Sequence, residues 1–461
     1  MNSVFVPEEE IRRQLETAEI YGNRYPGGKY RVECFGCQQN EADAERIAGI
    51  AEAMGYVPAE GREDADLIVI NTCAVREHAE LRALSNTGGL KKLKKKNPGL
   101  IIAVCGCMAQ EQSRTDQLMG SYPYVDIVFG TDRIHTLPEL VSKVRERRER
   151  IFAVTRAPHS EFGNIAEGLP AVRPVRHRAW LSVMYGCDNF CSYCIVPYVR
   201  GRERSRRERD VLDEARAYIA DGAKEITLLG QNVNSYRGEE GFDFPSLLLA
   251  VCELEGDFRV RFMTSHPKDC SDRLIEACRH PKAAPHIHLP FQSGSDRILK
   301  LMNRHYTVSQ YLERVETIRR VLPDAALTTD VICGFPGETE ADFEGTLEVV
   351  RQSRFDMIFT FLYSPRPGTR AAEMEDQVPH EVKVRRFGAL SELENSIARE
   401  NNEALVGSVQ RVLCDEAGEV CTGRSGQNKP VSFTSASARV GEFTDVVIKS
   451  AEAYRLCGEE K

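Results

Sequence analysis

The chain has 461 residues, 42% hydrophobic and 28% charged, with a net charge of −8. That length accommodates several domains with cores of their own, and the usage is globular rather than fibrous or disordered. No apolar run reaches the roughly 18 residues of a membrane span, and the acidic balance excludes a globally basic nucleic-acid binder, leaving only local patches for such contacts.

Residues 1–29 form a polar extension with one short helical pattern at 7–18 and a turn at 25–28. The start has neither a basic nor an apolar leader segment, so a cytoplasmic location is expected. From 30 to 150, apolar runs at 30–35, 65–71, 100–104 and 125–130 alternate with helical patterns near 40–54, 75–96, 108–119 and 137–150. That alternation predicts an open parallel α/β sheet covered by helices on both faces. Residues 151–175 lack periodicity, carry Pro158, Gly163, Gly168, Pro170 and Pro174, and read as a linker.

From 176 to 404 strand–helix alternation resumes, with candidate strands at 179–185, 225–230, 260–264, 286–291, 327–333 and 357–363. Six such units predict a partial (β/α)6 barrel whose C-terminal loops carry the chemistry. From 405 to 461, β-rich segments at 410–414, 419–423, 430–434 and 442–449 lie between Gly-rich turns and predict a small antiparallel β-barrel. The fold class is therefore α/β with a C-terminal all-β module.

Fifteen cysteines, an odd number, argue against a disulfide scaffold and for metal or redox chemistry. Cys252, Cys270, Cys278, Cys333, Cys414, Cys421 and Cys457 stand apart and read as small buried hydrophobes. Cys187, Cys191 and Cys194 are spaced by four and three residues, directly after a predicted strand. Thiolates so placed suit a soft metal or an iron–sulfur cluster, and three rather than four leave a coordination position open. A zinc site closed by a distant ligand such as His177 is the alternative. Cys37, Cys73 and Cys107 each follow the end of a predicted strand and are separated by 36 and 34 residues, about one βα unit. Open α/β sheets place their sites at that edge; three buried loop cysteines are the plainer alternative.

The Cys-x-x-x-Cys-x-x-Cys at 187–194 resembles the signature of the radical S-adenosylmethionine enzymes. From residue 30 onward the chain resembles the methylthiotransferases of that superfamily, through segments 71–77, 187–204, 292–296, 334–339 and 363–369. The resemblance implies an N-terminal cluster domain (30–150), a radical core (176–404) and an RNA-binding TRAM barrel (405–461). It implies that Cys187, Cys191 and Cys194 hold a 4Fe–4S cluster whose open iron takes S-adenosylmethionine. It further implies an auxiliary 4Fe–4S cluster on Cys37, Cys73 and Cys107, chosen over the neighbouring Cys34 and Cys105. Gln231, Asn232, Gln292 and Ser293 are expected to contact S-adenosylmethionine. Glu338 falls one residue late for the family pattern and receives no role.

The pair Arg76-Glu77 and the triplet Asp188-Asn189-Phe190 favour the branch acting on isopentenyl (dimethylallyl) adenosine 3′ of the tRNA anticodon. One S-adenosylmethionine would give the methyl group and a second the radical. Sister branches act on threonylcarbamoyl-adenosine in tRNA or on a ribosomal-protein aspartate. A non-catalytic iron–sulfur RNA-binding protein is the alternative from another class. For RNA, Arg200, Arg202 and Arg204 head a run of six arginines that ends at Arg209. Arginine suits phosphate forks and base stacking, although a solvated face paired with Glu203 and Glu208 is the plainer reading. Lys91, Lys92, Lys94, Lys95 and Lys96 read as an exposed helix end. Residues 404–461 hold seven Lys/Arg against eight Asp/Glu, so RNA contacts by Arg424, Asn428 and Phe433 rest on the resemblance alone. Expected partners are a tRNA anticodon stem-loop and an electron donor such as flavodoxin or ferredoxin; a monomer without membrane contact is expected.

Overall fold

The structure, a computed structural model, describes residues 4–75, 77–155 and 163–461, so Arg76 and part of the 151–175 segment lie outside it. The chain forms two compact units: Met1–Pro174 with Met184–Asp188 and Cys194–Arg206, and Val175–Val183 with Asn189–Tyr193 and Arg207–Lys461.

In the first unit, β1 (Lys29–Phe35), β2 (Val57–Pro58), β3 (Leu67–Thr72), β4 (Ile101–Gly106), β5 (Ile127–Phe129) and β6 (Ile151–Ala153) build one parallel sheet in the order β2-β1-β3-β4-β5-β6. β3 and β4 are buried along their whole length, as strands covered on both faces must be. Leu67 and Val69 face one core with Ile47, Ile50 and Tyr21; Ile68 and Ile70 face the other with Ala83, Leu84 and Leu118. The strand period of two thus feeds two separate cores.

Two segments differ from expectation. The N-terminal extension is a 17-residue helix, Glu8–Arg24, that buries Ile11, Gln14, Ala18 and Tyr21. The segment expected as a linker supplies β6 and then lies against the sheet's cover: Leu169 and Val172 join the core, and Val172 N–H donates to Glu45 O. Gly49 permits this, because a Cβ there would lie 2.4 Å from the Pro170 carbonyl.

The second unit begins with β7 (Arg178–Ser182). The chain then makes a short antiparallel ladder, β8 (Met184–Tyr185) with β9 (Arg204–Ser205), which belongs to the first unit. β10 (Glu225–Leu229), β11 (Arg259–Phe262), β12 (His286–His288), β13 (Ala326–Cys333) and β14 (Met357–Leu362) complete six parallel barrel strands in two sheets, β11-β10-β7 and β12-β13-β14. An isolated bridge, Val260 with Ala283, joins the halves. β15 (Val409–Glu416), β16 (Cys421–Arg424), β17 (Pro430–Thr434), β18 (Phe443–Glu452) and β19 (Arg455–Glu460) close a barrel around Val412, Val431, Phe433, Val446 and Leu456. It is not wholly antiparallel: β17 and β19 pair in parallel.

At the N-terminal end of this six-stranded barrel, Glu225 is buried and accepts from Arg259 Nε (2.6 Å) and Arg261 Nη2 (3.0 Å). Those arginines also donate to the C-terminal barrel, Arg259 to Arg424 O (3.0 Å) and Arg261 to Gly426 O (3.1 Å). Burial opposes the Glu225 charge, but Arg261, Arg259 and Arg178 outweigh it and hold the carboxyl well below its ordinary range. Removing the carboxylate leaves buried cations uncompensated. Glu225→Gln is expected to lower unfolding free energy by about 3–5 kcal/mol. The fluorescence of Trp180, the chain's single tryptophan and a β10 neighbour on β7, reports the transition. The carboxylate's contribution is complete above the ordinary carboxylate range and is lost as pH falls towards its depressed folded-state value. The gap between wild type and variant should therefore close only in strong acid.

Candidate active site

β1, β3 and β4 end at one edge of the parallel sheet, and the next residues are the cysteines. Cys37 precedes helix Gln38–Ala53, Cys73 follows β3, and Cys107 opens helix Cys107–Gln110. Gly106 makes the last turn possible: its φ is +94°, and a Cβ there would lie 2.2 Å from Thr72 O. Only glycine accepts both conditions. Asn40 and Asn71 lock the edge, each bonded to the other's residue, and Cys37 Sγ donates to Asn40 Oδ1 (3.3 Å).

The Cys73 thiol hydrogen-bonds Cys37, which pulls the Cys37 thiol down to about 6, with Arg200 helping; Cys73 itself rises. Cys107 is raised by burial, against the pull of Arg200, whose Nε lies 3.1 Å from its sulfur. Cys34 is pushed up to about 12 by burial, and Cys105 is raised by complete burial within the sheet core. A thiolate ligand needs a stabilised anion, so the environment favours Cys37 over Cys34. Among the described residues no three His, Cys, Asp or Glu side chains are grouped to hold a single metal ion. An iron–sulfur cluster makes a different demand, since each iron takes its own thiolate. Three soft donors with a buried cation fit such a group.

The second cysteine set lies on the loop between β8 and β9. Cys187 N–H donates to Gly201 O (3.1 Å) within the first unit, and Cys194 is half-buried just before helix Val196–Arg200. Cys191 belongs to the second unit. It is buried and accepts from Arg304 Nη1 (3.4 Å), while Arg304 Nη2 binds Pro290 O. Asn303 Nδ2 holds the Asn189 and Phe190 carbonyls.

The C-terminal loops of the six-stranded barrel carry buried polar atoms with no partner among the described residues: Asn232 Oδ1, both side-chain atoms of Asn234, Ser265 Oγ and His266 Nε2, together with Asn189 Oδ1 and Ser192 Oγ. Unsatisfied buried groups are costly and signal a polar ligand when they converge. Val233 N–H to Thr264 O ties the β10 and β11 loops, and His266 stacks edge-on against Tyr306, which binds Arg304. Phe190, Thr264, Gln292, Asn303 and His305 have positive φ here, and such strain gathers at functional sites. The lining fits a zwitterionic nucleoside such as S-adenosylmethionine.

Of the expected contacts, Asn232 is buried with Nδ2 on Asp269 (2.8 Å), Gln231 is half-buried, and Gln292 and Ser293 are buried after β12. Asn234, Ser265, His266 and Arg304 carry no spacing or motif that marks them in the sequence; Asn234 alone lies close to an expected contact, two residues after Asn232. Glu338 is structural, accepting from Gly334 N–H (2.8 Å) and Arg386 Nη1 (2.7 Å).

The RNA expectations need correction. Arg200 is 4% exposed and engaged on Cys107 and Asp43. Arg204 is half-buried, its guanidinium on the Gly163 and Arg200 carbonyls. Arg206 is buried in a two-pronged pair with Glu167. Arg202 is exposed, near Asp188. Phe433 is 1% exposed in the barrel core, where no base can stack on it. Arg424 and Asn428 are half-buried where the β16–β17 loop sits on the six-stranded barrel; Asn428 lines a cavity of about 40 Å³ with His286, Thr328 and Asn402. The lone cysteines are buried as expected, except the half-buried Cys457.

Residues 181–350 match the family model of the radical SAM superfamily, and 29–130 that of the uncharacterised protein family UPF0004. A solved radical S-adenosylmethionine methyltransferase, TsrM from Kitasatospora setae, shares the fold at 12% identity with a TM-score of 0.54, over 75% of each chain. The cobalamin-dependent radical enzyme OxsB matches at 12% and 0.51, over 80% of this chain and 56% of that one. The tRNA-2-methylthio-N(6)-dimethylallyladenosine synthase of Caldicellulosiruptor saccharolyticus is 47% identical, over 98% of this chain and 96% of its own. That of Alkaliphilus oremlandii is 46% identical, over 99% and 98%. With identity at that level along essentially the whole length, the chain belongs to the radical SAM family of tRNA-2-methylthio-N(6)-dimethylallyladenosine synthases.

Proposed function

We propose that the chain is a methylthiotransferase that replaces the ring C2 hydrogen of dimethylallyl-adenosine, 3′ of the tRNA anticodon, with a methylthio group. The observation that carries this reading is the 46–47% identity to the synthases along nearly the whole chain. Chemistry supports it: no side-chain base removes an adenine C2 hydrogen at neutral pH, so the hard step falls to a radical cofactor. When bound, S-adenosylmethionine and its 4Fe–4S cluster supply a 5′-deoxyadenosyl radical, and a further S-adenosylmethionine supplies the methyl group.

Cys187, Cys191 and Cys194 would hold the radical cluster. Cys37, Cys73 and Cys107 would hold a second cluster on the sulfur-donating side. Asn232, Asn234, Ser265 and His266, with Gln231, Gln292 and Ser293 nearby on the same loops, would bind and orient S-adenosylmethionine. Arg304 would hold Cys191 in place and offset its charge. Arg202 is the expected RNA contact of the arginine run, and an electron donor of the flavodoxin or ferredoxin kind would serve a monomeric enzyme. Among the described residues no helix is long and apolar enough to cross a membrane.

The test is an anaerobic incubation of the reconstituted protein with S-adenosylmethionine, reductant and isopentenyl-adenosine tRNA, with threonylcarbamoyl-adenosine tRNA in parallel. Mass spectrometry of the digested RNA should find the methylthio nucleoside only from the first; product only from the second would move the chain to the sister branch. Cys191→Ala is expected to abolish 5′-deoxyadenosine while the protein keeps the iron of the other triplet, and normal cleavage by that variant would refute the assignment. Cys73→Ala should lose methylthio product while some 5′-deoxyadenosine formation survives; full product yield would remove Cys73 from the sulfur-donating site.

A further inference from the structure

We propose that Arg200 is a positioning residue of the Cys37–Cys73–Cys107 site, the cationic hydrogen-bond donor that sets the charge balance of the iron bound there. The inference rests on the reading that this triplet holds a cluster.

The guanidinium is buried, and its partners are few and specific. Nε lies 3.1 Å from Cys107 Sγ, and Nη2 lies 2.7 Å from Asp43 Oδ2. Both contacts are internal to the first unit. Arginine does not give up its proton in proteins, so a buried Arg200 is a fixed positive charge that must be matched. Asp43 is one anion. The second contact is a sulfur, and a thiolate there completes the match, whereas a neutral thiol leaves the Nε fork with a weak acceptor.

Burial works against the Arg200 charge, but Cys107, Asp43 and Cys37 outweigh it and raise the guanidinium's pKa. The placement is built by the local fold: helix Val196–Arg200 starts with Pro197 near its N-terminus, and Ile195 and Val199 pack with Ala74 and Cys107. The segment that supplies Cys194 therefore also supplies the donor to Cys107.

Hydrogen bonds to ligand sulfurs and net nearby charge tune the potential of an iron–sulfur cluster. Arg200 should favour the reduced, more negative state, and Asp43 should oppose it. A merely structural ion pair predicts something else: breaking it from either side would loosen the site in the same way.

The experiment uses the full-length chain with Cys187, Cys191 and Cys194 replaced by Ala, so that bound iron reports the other triplet alone. Iron and sulfide content are measured first, then the midpoint potential by an EPR-monitored redox titration. Arg200→Gln is expected to shift the midpoint to more negative values, and Asp43→Asn to less negative ones. An unchanged or raised midpoint in Arg200→Gln, or shifts of the same sign in both variants, overturns the proposal. Should Arg200→Gln bind no iron, Arg200→Lys decides: a midpoint at or below that of the parent supports the proposal, since the charge is kept and only the fixed donor is lost, and one above it overturns it. Loss of iron in both Arg200 variants but not in Asp43→Asn supports a required donor to Cys107, and loss in all three favours the structural ion pair and overturns it. A parent that binds no iron removes the cluster reading and the proposal with it; iron without the shifts removes only the role of Arg200.

Discussion

The first unit depends on how closely two parallel strands can end. Thr72 and Gly106 are register partners on β3 and β4, and the backbone leaves Gly106 towards Cys107 through a left-handed turn pressed against the Thr72 carbonyl. A side chain there would push the helix Cys107–Gln110 away from the sheet edge, and Cys107 with it. Because β1, β3 and β4 are adjacent and parallel, their following residues emerge on one edge. Strand adjacency turns separations of 36 and 34 residues into thiols that sense one another's charge.

A buried thiol site also needs counter-charge, and both cysteine sets meet it in the same way. Arg200 points Nε at Cys107, and Arg304 points Nη1 at Cys191. Each guanidinium spends its other donors on fixed partners, Asp43 in one case and the Pro290 carbonyl and Tyr306 hydroxyl in the other. A planar fork held at two or more points cannot swing away from the sulfur. Lysine would offer the charge without that fixity.

The cysteine spacings, the strand–helix alternation and the six barrel units were legible because each is a periodic or paired signal along the chain. The arginine run was not, because composition records charge and not burial. Of Arg200, Arg202, Arg204 and Arg206, the fold buries the first and last, half-buries the third and leaves the second exposed. Phe433 could have been placed better: Val431 and Phe433 alternate on β17 with half-buried and exposed neighbours, and the period of two puts both inside. The positive φ of Thr264 and Gln292 had no sequence signal, since neither is glycine. Strand β19, Arg-Leu-Cys-Gly-Glu-Glu, lacks β-formers and exists because closure of the barrel needs a partner for β17 and β18.

The two ends of the radical barrel divide the physical work. At the N-terminal end charges are paired within the chain: Glu225 with Arg259 and Arg261, Lys429 with Asp356 and Asn402, and both arginines also donate to carbonyls of the C-terminal barrel. At the C-terminal end Asn232, Asn234, Ser265 and His266 keep buried atoms without partners among the described residues, beside residues held at unfavourable φ. The paired charges tie the strands together at one end, and the polar loop residues gather at the other, the end where barrels of this kind place their ligands. The C-terminal barrel accordingly braces the N-terminal end of the neighbouring barrel. Its β16–β17 loop lies against that end, where the backbone carbonyls of Arg424 and Gly426 accept from Arg259 and Arg261.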